Sequence, residues 1–273
     1  MEPWVIALVA VSAVLHLAWN VRLKTAGDPL RAATIGMLAG TVGIVPLGVG
    51  IWLAGGRPSL PPAGIALGLA SGVVEAAYFI LLAAAYRRGD LSVVYPVARG
   101  TAPLLAVAVG VLVFGERLGV AGSLGVVALI VGFLLLQRPW RAIALARRGG
   151  PGARATAADS AVLFALATGV MIATYTAIDR LGTRQIDVFT YAAILWLTCA
   201  VVLVGWVAVA AGGDLLRDGP EASRRAAQGG LLTLGAYLCI LIALSVAPLS
   251  GVAPLRESAT VFAAAWGSVA RSS

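Results

Sequence analysis

Leu91-Ser92-Val93-Val94-Tyr95-Pro96 recurs near the far end of the chain as Leu249-Ser250-Gly251-Val252-Ala253-Pro254. Each copy opens a run of about 20 mostly apolar residues, the length that crosses a hydrocarbon core of about 30 Å as an α-helix. The two copies therefore mark corresponding spans of a duplicated helical unit, and the fold follows by counting outward from them. A fainter echo accompanies them, Trp19-Asn20 with Lys24 being matched by Tyr175-Thr176 with Arg180.

Cutting the chain wherever charge, Pro and Gly interrupt such runs yields nine spans, at 4–22, 32–53, 63–86, 91–114, 119–137, 159–179, 187–211, 228–247 and 250–269. Residues 1–137 hold five of them and residues 159–273 hold four. Between the halves, residues 138–158 form a basic linker with a Gly149-Gly150-Pro151-Gly152 turn. An odd number of spans per repeat turns the second copy upside down. The expected fold is thus an all-α polytopic membrane protein, an inverted repeat of five-helix units with nine spans present and the tenth missing.

Composition agrees. Of 273 residues, 60% are hydrophobic and 12% charged, and the mean hydropathy is +0.95. An ordinary soluble domain has roughly 45–50% apolar and about 25% charged residues, so this chain lacks the charge to coat a water-facing globule. The net charge of +8 does not indicate nucleic acid. Thirteen of the 20 Lys and Arg fall in loops after spans 1, 3, 5 and 7, against four on the opposite side, which by the positive-inside rule makes the first side cytoplasmic and the N-terminus external. The first run lacks a basic leader and a small-residue cleavage site and is read as the first span, not a signal peptide. Cys199 and Cys239 both lie inside apolar runs and suggest neither a disulfide nor a metal pair.

Charges inside such runs are costly unless paired or hydrated, which makes them the first candidates for function. Glu75, Arg99, Arg256 and Glu257 lie well inside spans, whereas Asp28, Asp90, Glu116 and Asp179 fall at span ends, where water is expected to solvate them. Arg99 shares a helical face with Ser92, Pro96, Gly100 and Pro103. The prolines free backbone carbonyls that are tolerated at membrane depth only in protein or against a water-filled cavity. Arg99 is then either an anion-binding or gating group, or one half of an ion pair that fixes packing. Aligning Pro96 with Pro254 sets Arg99 opposite Glu257 as candidate partners, while Arg256 is left for Glu75 or a substrate carboxylate.

Glu75 follows Gly64, Gly68 and Gly72, a ladder of small residues that lets another helix approach closely, and shares its face with Ser71, Tyr78 and Phe79. It is a candidate for proton coupling or a fixed partner for an arginine. On the first span, Ser12, His16, Trp19 and Asn20 share a face, and His16 is read either as a substrate or proton ligand or as part of an interhelical hydrogen bond. Tyr78, Tyr86, Tyr95, Tyr175 and Tyr237 could line a cavity for amphipathic solutes or simply pack. A single His supplies no paired metal or haem ligands, and no phosphate loop, HExxH or GxSxG string occurs, so no cofactor, no metal and no enzymatic centre are expected.

Several segments also carry a family likeness: Leu15-His16-Leu17-Ala18-Trp19-Asn20, Tyr86-Arg87-Arg88-Gly89-Asp90-Leu91-Ser92 running into Tyr95-Pro96-Val97-Ala98-Arg99-Gly100-Thr101-Ala102-Pro103, Gly115-Glu116-Arg117, and Ala253-Pro254-Leu255-Arg256-Glu257-Ser258. In order and spacing the chain resembles the EamA-type transporters of the drug/metabolite transporter superfamily. The resemblance implies ten helices in an inverted repeat, a central cavity between the halves, and secondary transport of small metabolites or xenobiotics across the plasma membrane, with proton coupling if it is driven. The tenth helix of that pattern would follow the Arg256-Glu257-Ser258 region. The expected partners are a small-molecule substrate and the lipid bilayer, without nucleic acid, and a homodimer is among the assemblies this reading admits. Its rivals are a non-transporting truncated membrane fragment or assembly partner, and an intramembrane lipid-modifying enzyme.

Overall fold

Proline sets where several of the helices begin. The computed structural model describes residues 1–23, 26–89, 91–137, 153–210 and 212–256. Its helices are α1 (Pro3–Leu23), α2 (Pro29–Ala54), α3 (Pro62–Tyr86), α4 (Leu91–Leu112), α5 (Val120–Gln137), α6 (Ala153–Gly182), α7 (Val188–Ala210) and α8 (Pro220–Val246), followed by helix over 249–256, here α9. Among the described residues there is no strand. Pro3, Pro29, Pro62 and Pro220 each stand at a helix start, where the missing N–H costs nothing and the fixed φ is already helical. Carboxylates close in sequence cap α2 and α7. Asp28 Oδ1 accepts from the Leu30 and Arg31 amides at 3.0 and 3.1 Å, and Asp187 Oδ1 accepts from the Phe189 and Thr190 amides at 3.0 and 3.1 Å. Caps of this kind are worth about 1 kcal/mol.

Five helical stretches are long and apolar enough to cross a membrane: Pro29–Ala54, Pro62–Tyr86, Ser160–Gly182, Val188–Ala210 and Pro220–Val246, with Pro3–His16 and Val97–Leu112 as shorter apolar segments. Large side chains such as Val42, Leu124, Val201 and Val209 turn most of their surface outward, as lipid-facing positions do. α6 and α8 begin more than a turn before the hydropathy pattern predicts. α6 starts at Ala153, inside the expected linker, and α8 starts at Pro220 instead of 228. In α8 the reason is local: Glu221 pairs with Arg224 at 3.6 Å and Arg225 at 3.3 Å, so a charged first turn is helical while remaining in water. Hydropathy marks the part of a helix that suits lipid, not the helix itself. The expected span at 250–269 is described only to residue 256.

The chain divides into two units. The first comprises Met1–Ala76 with Tyr175–Ala247, and the second Ala77–Thr174 with Pro248–Ser273. In the first unit, α1 packs on α8, and α2 packs on both α7 and α8. Small residues set these approaches. A Cβ at Gly36 would sit 3.2 Å from Gly230 Cα, and a Cβ at Gly72 would sit 2.5 Å from the Leu195 carbonyl oxygen, so α3 and α7 meet backbone to backbone. Gly64 and Gly68 face Ile186 and Ile194 in the same way, so the ladder on α3 does admit a neighbouring helix. In the second unit α4 packs on α5. Val94, Val97 and Ala98 of α4 form a core with Ala161 and Ala165 of α6, and Ala85 closes it from α3.

Candidate functional site

A polar stripe runs along the buried face of α6 and just past its end: Thr168, Tyr175, Thr176, Asp179 and Thr183 recur at helical spacing, and all five are buried. Asp179 is 1% exposed. Its Oδ1 accepts from Ser71 Oγ of α3 at 2.5 Å and from the Tyr191 hydroxyl of α7 at 2.9 Å, and its Oδ2 accepts from the Tyr237 hydroxyl of α8 at 2.5 Å. Four helices of the first unit thus meet at one carboxylate. This corrects the expectation that water solvates Asp179 at a span end: α6 continues to Gly182, one turn on, and Tyr191 lies where a Cβ on Gly182 would be, 2.1 Å from its ring. The missing side chain at 182 lets the tyrosine cover Asp179 and bring its hydroxyl onto it.

Glu75, one turn after Ser71 on α3, is also buried. It lies near enough to act electrostatically on Tyr191, Cys199 and Tyr237. Arg180, beside Asp179 on α6, is buried as well. Aromatic rings close the cluster, with Tyr175 and Trp196 centred 6.1 and 6.3 Å from Tyr237. An acidic pair within a shell of hydroxyl and aromatic groups can hold a proton. The described residues contain no group of three or more His, Cys, Asp or Glu able to hold a metal ion.

On α1, the Trp19 indole N–H donates to His16 Nδ1 at 2.8 Å with the rings edge to face. An interhelical bond on this face comes from Ser12, whose Oγ donates to the Ala236 carbonyl of α8 at 2.7 Å. Trp19 is buried and His16 half-buried, and the side chain of Asn20 lies outside the described residues.

In the second unit Arg99 is buried on α4, and Tyr78 is buried beside Phe79 on α3, ring centroids 4.7 Å apart. Tyr95 and Pro96 fall within α4, their side chains outside the described residues. Arg256 is half-buried at the end of the described part of α9. Glu257 lies outside the described residues, and with it the expected Arg99–Glu257 pairing. Glu75 and Arg256 fall in different units. Glu116 departs from its expected solvation: it is half-buried, and its Oε1 and Oε2 accept from the Leu249 and Ser250 amides, each at 2.8 Å.

Distance along the chain from the end of an apolar run does not reveal the depth of Asp179. The stripe from Thr168 to Thr183 was the available signal, since polar residues repeating every three or four positions on an otherwise apolar helix mark a face turned into the bundle.

No curated protein matches the chain. A solved structure titled "Crystal structure of protein" shares the fold at a TM-score of 0.68 and 17% identity, over 97% of this chain and 89% of that one. The family model for the EamA-like transporter family matches twice, at residues 3–138 and 159–271, two segments that together take in nearly the whole sequence. The chain therefore belongs to the EamA-like transporter family, whose members are membrane transporters and not enzymes.

Proposed function

We propose that this chain is a secondary transporter that moves small metabolites or xenobiotics across the cytoplasmic membrane by alternating access between two inverted repeats, with Asp179 and Glu75 as its proton-coupling groups. The observation that supports coupling is the burial of Asp179 among three hydroxyls supplied by three helices. A carboxylate is expensive to keep inside an apolar bundle, and one retained there is a functional candidate.

Hydroxyls both donate and accept, so the same pocket can hold either protonation state. As a carboxylate, Asp179 accepts from all three. When it takes a proton from the aqueous phase, one oxygen becomes a donor, and at least one hydroxyl must turn or part from it. Because the hydroxyls belong to α3, α7 and α8, protonation changes how these helices are tied. Tyr191 on α7 and Tyr237 on α8 feel the charge of Asp179 and of Glu75 on α3, Cys199 on α7 feels that of Glu75, and Arg180 follows Asp179 on α6. On the substrate side, Arg99 and Arg256 are the cations suited to a solute carboxylate, as in amino-acid-like metabolites. His16, Trp19, Asn20, Tyr78, Tyr95 and Pro96 serve as path-lining positions.

The test is uptake and efflux of a pooled library of amino acids and xenobiotics in proteoliposomes, with and without an imposed pH gradient. The parent chain should move at least one solute faster under the gradient. Asp179→Asn should lose that acceleration while retaining solute-for-solute exchange, and Arg99→Ala should lose the movement itself. A folded parent that moves nothing would remove the transport reading and leave the assembly-partner one.

A further inference from the structure

The Gly115-Glu116-Arg117 segment has a place in the second unit that transport alone does not explain. α4 ends at Leu112, and the chain then folds back so that the Glu116 amide donates to the Gly110 carbonyl at 2.9 Å. Gly115 makes the turn possible, at φ +64° in the left-handed region that side chains disfavour. The fold-back plants the Glu116 carboxylate beside the last turn of α4. There it meets the start of α9, a segment more than 130 positions later in the sequence.

The start of α9 requires such a partner. The first N–H groups of a helix have no acceptor within it, and a capping side chain usually supplies one. Here the residue at that place is Pro248, whose carbonyl accepts from Gly251 and Val252 at 3.2 and 3.1 Å but whose ring offers no side-chain oxygen. The Leu249 and Ser250 amides are satisfied instead by Glu116, one by each oxygen, at 2.8 Å. A carboxylate suits the positive end of a helix, and both bonds are charge-assisted. Gly110 leaves the seat open, since a Cβ there would lie 2.5 Å from Glu116 Oε2 and 3.0 Å from Ser250 Cβ.

We infer that Glu116 is a positioning residue that docks the start of α9 onto the end of α4, and so fixes where Arg256 is presented to a solute carboxylate. Arg256 lies seven residues beyond Leu249, about 10 Å along the helix, so a shift at its start carries to the arginine. The same joint tethers Pro248 and the residues after it to a unit otherwise built from Ala77–Thr174. Its effect on transport rests on the reading proposed above, whereas the docking itself does not.

Two measurements test it. Amide exchange in nanodiscs, read by mass spectrometry over residues 249–252, should quicken at least about tenfold in Glu116→Ala. Gly110→Ala, which crowds the seat but keeps the carboxylate, should act in the same direction. Should Glu116→Ala fail to fold, Glu116→Gln keeps one acceptor and should show a smaller rise. In proteoliposomes supplied with a mixture of protein amino acids, Glu116→Ala should raise KM roughly tenfold for the amino acid moved, with Vmax per folded protein little changed. In an Arg256→Ala background it should add no further rise. Unchanged exchange at 249–252 overturns the docking. A lowered Vmax at constant KM, or full additivity with Arg256→Ala, overturns the positioning role. If the parent moves none of the amino acids, the presentation of Arg256 to a solute carboxylate is overturned, and exchange alone decides whether Glu116 docks α9.

Discussion

Two carboxylates that the sequence places alike, at the water-exposed ends of spans, end up in opposite chemical company. Asp179, in the first unit, is held by side chains: Ser71, Tyr191 and Tyr237 each contribute a hydroxyl. Glu116, in the second, is held by the backbone amides of Leu249 and Ser250. A hydroxyl can reverse its hydrogen bond and a backbone N–H cannot. Hydroxyls can turn when the group they hold changes from acceptor to donor, whereas the two amides of the second arrangement need an acceptor at each oxygen. A carboxylate among hydroxyls is suited to a step that changes state, and one clamped on amides to a joint that keeps its shape.

The comparison is broken most directly by truncating each acid. Asp179→Ala strands three hydroxyls at the meeting of four helices, and should destabilise the protein by about 3–5 kcal/mol. Glu116→Ala removes a cap from a helix start and should cost about 1–2 kcal/mol, confined to the neighbourhood of α9. Thermal unfolding in detergent, with exchange mapped along the chain, separates a global loss from a local one. Equal and global losses would mean that both acids are simply core groups.

Much of this was legible in the sequence, for physical reasons that also mark where it stops. The Gly64, Gly68 and Gly72 ladder predicts a close helix approach because small residues every four positions have little other use on an apolar helix, and α3 does meet α7 there. Glu75 and Arg99 stand out as charges inside apolar runs, and both are buried. Asp179 does not stand out, since its depth depends on α6 continuing to Gly182 and on a tyrosine arriving from another helix. Glu116 is harder still. Its partners are backbone amides, which every residue has, on a segment remote in sequence. Hydropathy places the starts of α6 and α8 late because it cannot see a solvated helical turn such as that of Glu221 and Arg225.

A finer cut separates the three hydroxyls from the carboxylate they hold. Tyr237→Phe removes the hydroxyl that donates to Oδ2 while leaving the ring packed near Tyr175 and Trp196. The expected cost is about 1–2 kcal/mol, toward the upper end of hydrogen bonds measured inside membranes because the acceptor is a carboxyl group. If the Asp179 pocket works by redistributing its bonds, Tyr237→Phe should also weaken the response of transport to a pH gradient while leaving solute exchange intact. A loss of stability with the gradient response unchanged would reduce Tyr237 to packing and align Asp179 with Glu116 as a fixed tie.

The smallest effect is expected at Ser250, and it sharpens the comparison from the other side. Its amide is half of the Glu116 clamp, yet its own hydroxyl is fully buried and finds no hydrogen-bond partner among the described residues. A buried polar atom without a partner contributes a desolvation cost and no bond, so removing it while keeping the backbone should be close to neutral. Ser250→Ala should therefore alter stability by no more than about 0.5 kcal/mol and leave amide exchange over 249–252 unchanged. At the Asp179 cluster the corresponding change, Ser71→Ala, deletes a donor and should be felt. A marked loss in Ser250→Ala would show that the second unit too relies on a side-chain hydroxyl at its joint, and the division between a rearranging cluster and a fixed one would not stand.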